Sequence, residues 1–135
     1  EDTMAQFVCL QPCLGINLAA ATIARQACYV VAEDLLPGQI HLGCAPALNA
    51  HVQEDIDFII SDFVICLEAC EKNCAATLVK REGGNINLVL SVPQVLKEEG
   101  FEPEKESPVF FAPEHPAVQA LANRIADECR KALGG

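Results

Sequence analysis

Short, unbroken apolar runs alternate along this chain with longer stretches in which apolar side chains return every three or four positions. The short runs, Gln6–Leu10, Gln39–Cys44, Asp62–Leu67 and Asn85–Val92, read as strands. Phe63 to Leu67 is apolar at every position, as a strand covered on both faces should be. The first long stretch predicts a helix from Ile16 to Leu36, with Ile16, Ala20, Ile23, Ala27, Val30 and Val31 on its inner face. Pro37-Gly38 stops it. A second helix is expected over Leu48–Ile60, with Val52, Ile56, Ile59 and Ile60 inward, and a third over Glu71–Arg81, ended by Gly83-Gly84. Pro93–Glu99 reads as a short helix stopped by Gly100. Glu102–Pro116 carries four prolines and reads as a loop. A final helix is predicted from Pro116 to Leu133, with Val118, Leu121, Ala122, Ile125, Cys129 and Leu133 as its buried stripe.

Strands that alternate with helices pack as a parallel sheet covered on both sides. The expected fold is therefore a single α/β domain over residues 1–135. It has three layers and a mainly parallel four-stranded sheet with helices on both faces, of the Rossmann-like or flavodoxin-like kind. Local pattern leaves the strand order open, but the order 2-1-3-4 would set the ends of strands one, two and three side by side. Ligands in such folds bind beyond the carboxyl ends of the strands.

Charge narrows the partners. Nine basic and nineteen acidic side chains leave a net charge of −10, whereas a binder of phosphate backbones needs a basic footprint. Nucleic acid and anionic membrane are therefore poor partners. Six Phe, one Tyr and no Trp give few stacking platforms for single strands. No run is long and apolar enough for a membrane span. The start, Glu-Asp-Thr-Met, shows no signal-peptide pattern, and Met4 is the sole methionine. Eight cysteines in 135 residues fall short of a disulfide scaffold, and the chain has a full apolar core pattern. Reduced thiols and a cytoplasmic location are expected.

The cysteines carry the chemistry. Six of the eight stand where apolar runs end: Cys9 with Cys13, then Cys44, then Cys66, Cys70 and Cys74. Cys13, Cys44, Cys70 and Cys74 could supply four thiolates from three loops, the donor set of a structural zinc site. A helix beginning near Glu71 would put Cys70 and Cys74 one turn apart, facing the same way, at an end that favours thiolates. Cys28 and Cys129 lie on apolar helix faces and read as core residues. Cys9 and Cys66, inside strand runs, stay open between core and site.

At these residues the chain resembles the zinc-binding family named for its Asp-Gly-Cys (DGC) motif. Pro12-Cys13-Leu14-Gly15 after strand one resembles the family's Pro-Cys-Ser-Gly opening, and Cys44 follows strand two as the family's second cysteine does. Glu68-Ala69-Cys70-Glu71-Lys72-Asn73-Cys74-Ala75 is similar to Asp-Gly-Cys-x-x-x-Cys-Ala, with Glu68-Ala69 in place of the naming Asp-Gly pair. The likeness spans roughly residues 6–96. It implies that Cys13, Cys44, Cys70 and Cys74 are zinc ligands and leaves the biological role undefined, with metal handling or sensing among the options.

Other chemistry is less well supported. An iron–sulfur or thiol-based redox protein or enzyme is the alternative, since cysteines also hold clusters. There is no Cys-x-x-Cys dithiol, no phosphate loop, and no Arg six residues after Cys9 or Cys13 to make a cysteine-phosphatase loop. Gly15 alone makes no dinucleotide fingerprint. His41, His51 and His115 are scattered and read as surface or capping residues, His51 being the least unfavourable as a ligand. Glu68 could ligate, act as a base or cap a helix.

Overall fold

The sheet is built from four short strands: β1 (Val8–Pro12), β2 (Ile40–Leu42), β3 (Phe63–Glu68) and β4 (Leu88–Ser91). In this computed structural model, which describes residues 4–134, all pairings are parallel and the order is β2-β1-β3-β4. β1 and β3 lie inside the sheet, so their side chains are covered on both faces. Val64 and Cys66 point to one layer, Ile65 and Leu67 to the other. This is why the β3 segment is apolar at every position.

Among the described residues six α-helices form the outer layers: α1 (Ala19–Val30, continued by a π turn to Leu35), α2 (Ala45–Asn49), α3 (Gln53–Ser61), α4 (Cys74–Arg81), α5 (Val92–Glu98) and α6 (Pro116–Leu133). The larger core joins α1, α5 and α6 to Val8, Leu10, Ile65 and Leu67. The smaller one joins Leu48 of α2, Ile59 of α3, and Ala75 and Val79 of α4 to Cys9, Val64 and Cys66. Each fully buried aliphatic side chain contributes roughly 1.5–3 kcal/mol, so these stripes hold the layers together. α6 keeps the predicted bounds because both ends are signalled locally. His115 accepts from the Ala117 N–H (3.1 Å), Pro116 opens the first turn, and Gly134 (φ 84°) takes the left-handed stop. Among the described residues no helix is long and apolar enough to cross a membrane.

The chain departs from the periodic reading at several points; strand β4, expected from Asn85, starts at Leu88, and Val92 opens α5. Strand β1 runs two residues later than expected, ending at Pro12, whose missing N–H is tolerated at a strand end. Ile16 precedes α1 and is 87% exposed, so it leaves the predicted inner face. The expected Leu48–Ile60 helix is two helices, because His51 adopts a left-handed φ of 61° that a helix cannot pass through. The break turns Val52 and Ile60 outward. Finally, α4 begins at Cys74 rather than Glu71.

Candidate thiolate site

Because β1 lies between β2 and β3, the loops that leave these three strands emerge side by side at the carboxyl edge of the sheet. Cys13 is the first residue beyond β1, and its N–H donates to the Leu67 carbonyl (2.9 Å), extending the ladder by one rung. Cys44 follows β2 by two residues and is the N-cap of α2, its carbonyl accepting from the Leu48 N–H (3.0 Å). Cys70 lies in the turn after β3, and Cys74 is the first residue of α4. Cys44 and Cys74 are exposed; Cys13 and Cys70 are partly buried. Cys44 also opens onto a cleft of about 280 Å³ whose walls include Pro12, Leu14, Arg25 and Tyr29.

Helices α2 and α4 hold two of these thiols in relation to each other. The helices pack together, and their last residues are tied by Arg81 Nη2, which donates to Asn49 Oδ1 (2.6 Å). A second tie pairs His51 Nδ1 with Glu82 Oε1 (2.7 Å). Both helices start at the carboxyl edge, where Cys44 is the N-cap of α2 and Cys74 the first residue of α4.

The other four cysteines are sealed. Cys9 and Cys66 belong to the smaller core, Cys28 and Cys129 to the larger one, and none is more than 2% exposed. Burial, with the Asp62 charge next in weight, pushes the Cys9 thiol up to about 12. Burial and then the Glu68 charge do the same for Cys66, also to about 12. Burial raises Cys129 to about 12, and Cys28 higher still with Cys129 beside it. Burial in apolar surroundings favours the protonated thiol at all four. No disulfide joins any of the eight cysteines.

The start of α4 corrects the expectation that Cys70 and Cys74 share a helical turn. Glu68, at the end of β3 and 2% exposed, accepts from the N–H groups of Ala75 (3.1 Å) and Ala76 (2.7 Å). The carboxylate satisfies two of the free donors at the helix start and fixes that start at Cys74. Asn73, in a left-handed conformation (φ 57°), turns the chain into the helix. Cys70 is thereby left in the preceding turn. Capping, one of the roles open to Glu68, is seen in these two hydrogen bonds.

Gln11 was invisible to the sequence reading. With Glu68 it makes up the buried polar side chains among the described residues, and both lie on the α2–α4 side of the sheet near the strand ends. Gln11 is completely buried in β1, yet neither its Nε2 nor its Oε1 has a hydrogen-bond partner. Leaving such groups unpaired costs about 1–3 kcal/mol each. The amide fits because residue 43 is glycine: a Cβ there would stand 2.2 Å from Oε1 and 3.1 Å from the Leu10 carbonyl. A polar residue closing an apolar strand just ahead of Pro12-Cys13 was the available signal.

Each histidine has its own contacts, and His41 pairs in register with Cys9 across β1 and β2. His41 stacks between Phe7 and Phe58 (ring centroids 4.5 and 4.1 Å apart), with Nδ1 2.6 Å from Asp62 Oδ2. His115 caps α6, and His51 is held by Glu82. Among the described residues no three His, Cys, Asp or Glu side chains stand close enough to hold an ion as they are. The four outer thiols thus share an edge without converging on one point.

A family model, the DGC domain, matches residues 9–110. The chain belongs to the DGC domain family. The matched region begins within β1 and continues past α5 to Phe110, farther than the motif resemblance reached, and leaves α6 outside. All four outer cysteines, and Gln11, Gly43 and Glu68, fall within the DGC domain. Neither a curated protein nor a solved structure matches the chain.

Proposed function

We propose that this DGC domain protein binds zinc through the thiolates of Cys13, Cys44, Cys70 and Cys74, at the carboxyl edge of its sheet. The observation that carries the reading is the sorting of the cysteines. Four are shut into the cores, and the remaining four stand just beyond three adjacent strands. Soft sulfur donors in that number suit zinc. The unpartnered Gln11 amide beside Gly43-Cys44 also fits an edge built around a group that completes it. In this reading Glu68-Ala69-Cys70 is the chain's version of the Asp-Gly-Cys motif, and its acidic residue serves the site by fixing where α4 and Cys74 begin.

Zinc held by four thiolates is a closed tetrahedral centre with no open position for a substrate. That favours metal handling or sensing over hydrolysis, in a reducing compartment such as the cytoplasm. The ion would draw three loops together, so binding is coupled to ordering of the edge. Metal analysis of protein purified without a metal-chelating resin tests the reading, and about one zinc per folded chain is expected. Less than about 0.2 zinc per chain, with the fold intact, would sink it, since a closed thiolate site retains its metal. A brown protein absorbing near roughly 400 nm after anaerobic purification would favour an iron–sulfur cluster instead.

A further inference from the structure

A cleft runs along α1, on the face of the sheet opposite α2, α3 and α4. It has two chambers, of about 280 and 330 Å³, that share Leu14 and Arg25 as walls. One stripe of α1 lines both: Ala21, Thr22, Arg25, Cys28 and Tyr29 return at helical spacing. Leu42 to Cys44 bounds one end. Pro108 and Val109 bound the other, where Thr22 Oγ1 donates to the Pro108 carbonyl (2.8 Å). Ile16 and Val109, both exposed, line this second chamber, which gives Ile16 a place outside the core.

Charge sets the cleft apart from the rest of the molecule. The chain carries nineteen acidic side chains, yet none lines either chamber, and Arg25 is the one basic residue in both. Among the described residues Arg25 meets no carboxylate; its Nε donates to Tyr29 Oη (3.1 Å), and its guanidinium carbon lies 5.8 Å from the centre of the Tyr29 ring. This contact orients the guanidinium and leaves its terminal N–H groups and the Tyr29 O–H as donors for a ligand. A planar fork of that kind matches a carboxylate.

We propose that the cleft binds a small organic carboxylate, with the charged group on Arg25 and Tyr29 and the apolar body against Leu14 and Leu42. The two chambers together suit a ligand of that size. The site needs no metal, so it stands or falls apart from the zinc reading.

The probe is para-trifluoromethylbenzoate, with para-trifluoromethylbenzamide as its neutral counterpart, each titrated into the full chain at neutral pH and followed by fluorine NMR. The benzoate should bind about tenfold or more tighter than the benzamide, the difference made by a charge-assisted hydrogen bond. In the isotope-labelled chain, the backbone amide signals of Gly15, Tyr29 and Gly43 should move on titration and those of α4 should not. Arg25→Met keeps an apolar stem and removes the charge, and Arg25 is exposed, so the fold carries the change. This variant should lose about tenfold in affinity for the benzoate and keep its affinity for the benzamide. Equal affinity for the two probes, unchanged benzoate affinity in Arg25→Met, signal changes confined to other residues, or no binding up to about 10 mM would each overturn the proposal.

Discussion

Glu68 gives the sharpest test of how the edge is built. Glu68→Ala removes two charge-assisted hydrogen bonds, to Ala75 N–H at 3.1 Å and Ala76 N–H at 2.7 Å. Bonds to an ionised group are each worth about 1.5–3 kcal/mol. Against this, the variant no longer buries a carboxylate that is 2% exposed, which recovers part of a desolvation cost. The net loss should be about 2–3 kcal/mol, at or slightly above the upper range for deleting a helix cap. With an unfolding entropy of about 2.1 cal/mol/K per residue, that corresponds to a fall of roughly 7–11 °C in melting temperature. Glu68→Gln keeps an acceptor but not the charge and should lose about half as much. Urea titration followed by circular dichroism measures both variants. A midpoint for Glu68→Ala equivalent to less than about 0.5 kcal/mol of destabilisation would refute the capping argument, since surface changes lie in that range.

Iodoacetamide with peptide mapping should label Cys13, Cys44, Cys70 and Cys74 in the folded metal-free protein and spare Cys9, Cys28, Cys66 and Cys129, and rapid labelling of any of these buried four would contradict the packing. Stability should fall at alkaline pH. Cys9, Cys66 and Cys129 are raised from 9.0 to about 12, so unfolding releases their protons above pH 9, and the stability present below that pH is lost as the pH rises through about 12. Each such thiol adds a slope of up to about 1.4 kcal/mol per pH unit, readable as urea midpoints between about pH 8 and about pH 10.5; Cys129→Ala should flatten the slope. Ile125→Ala, on the fully buried stripe of α6, should cost about 2–5 kcal/mol, and Ile125→Val about 0.5–1.5 kcal/mol, by the same titration.

The fold was legible because its strands and its longest helix are specified locally. The apolar run of β3, the Pro37-Gly38 stop and the caps of α6 all sit in the residues they control. The parts that were not legible depend on contacts between distant residues. No periodicity shows that Glu68 reaches forward to Ala75 and Ala76 and so excludes Cys70 from α4. The left-handed turn at His51 likewise splits a stretch whose hydrophobic spacing continues through it. For the cysteines, spacing separated Cys28 and Cys129 from the edge. It could not decide Cys9 and Cys66, because a strand exposes or buries a thiol according to the layer packed over it. Gln11 stayed hidden because its meaning lies in the absent side chain of Gly43, on another strand.

Anomalous scattering at the zinc edge from crystals of the protein purified with its native metal tests the central claim most directly. The account predicts a single zinc peak at the carboxyl edge, bonded at about 2.3 Å to the sulfurs of Cys13, Cys44, Cys70 and Cys74. Iron in place of zinc, or zinc held by Cys9, Cys66 or the histidines instead of these four, would contradict it.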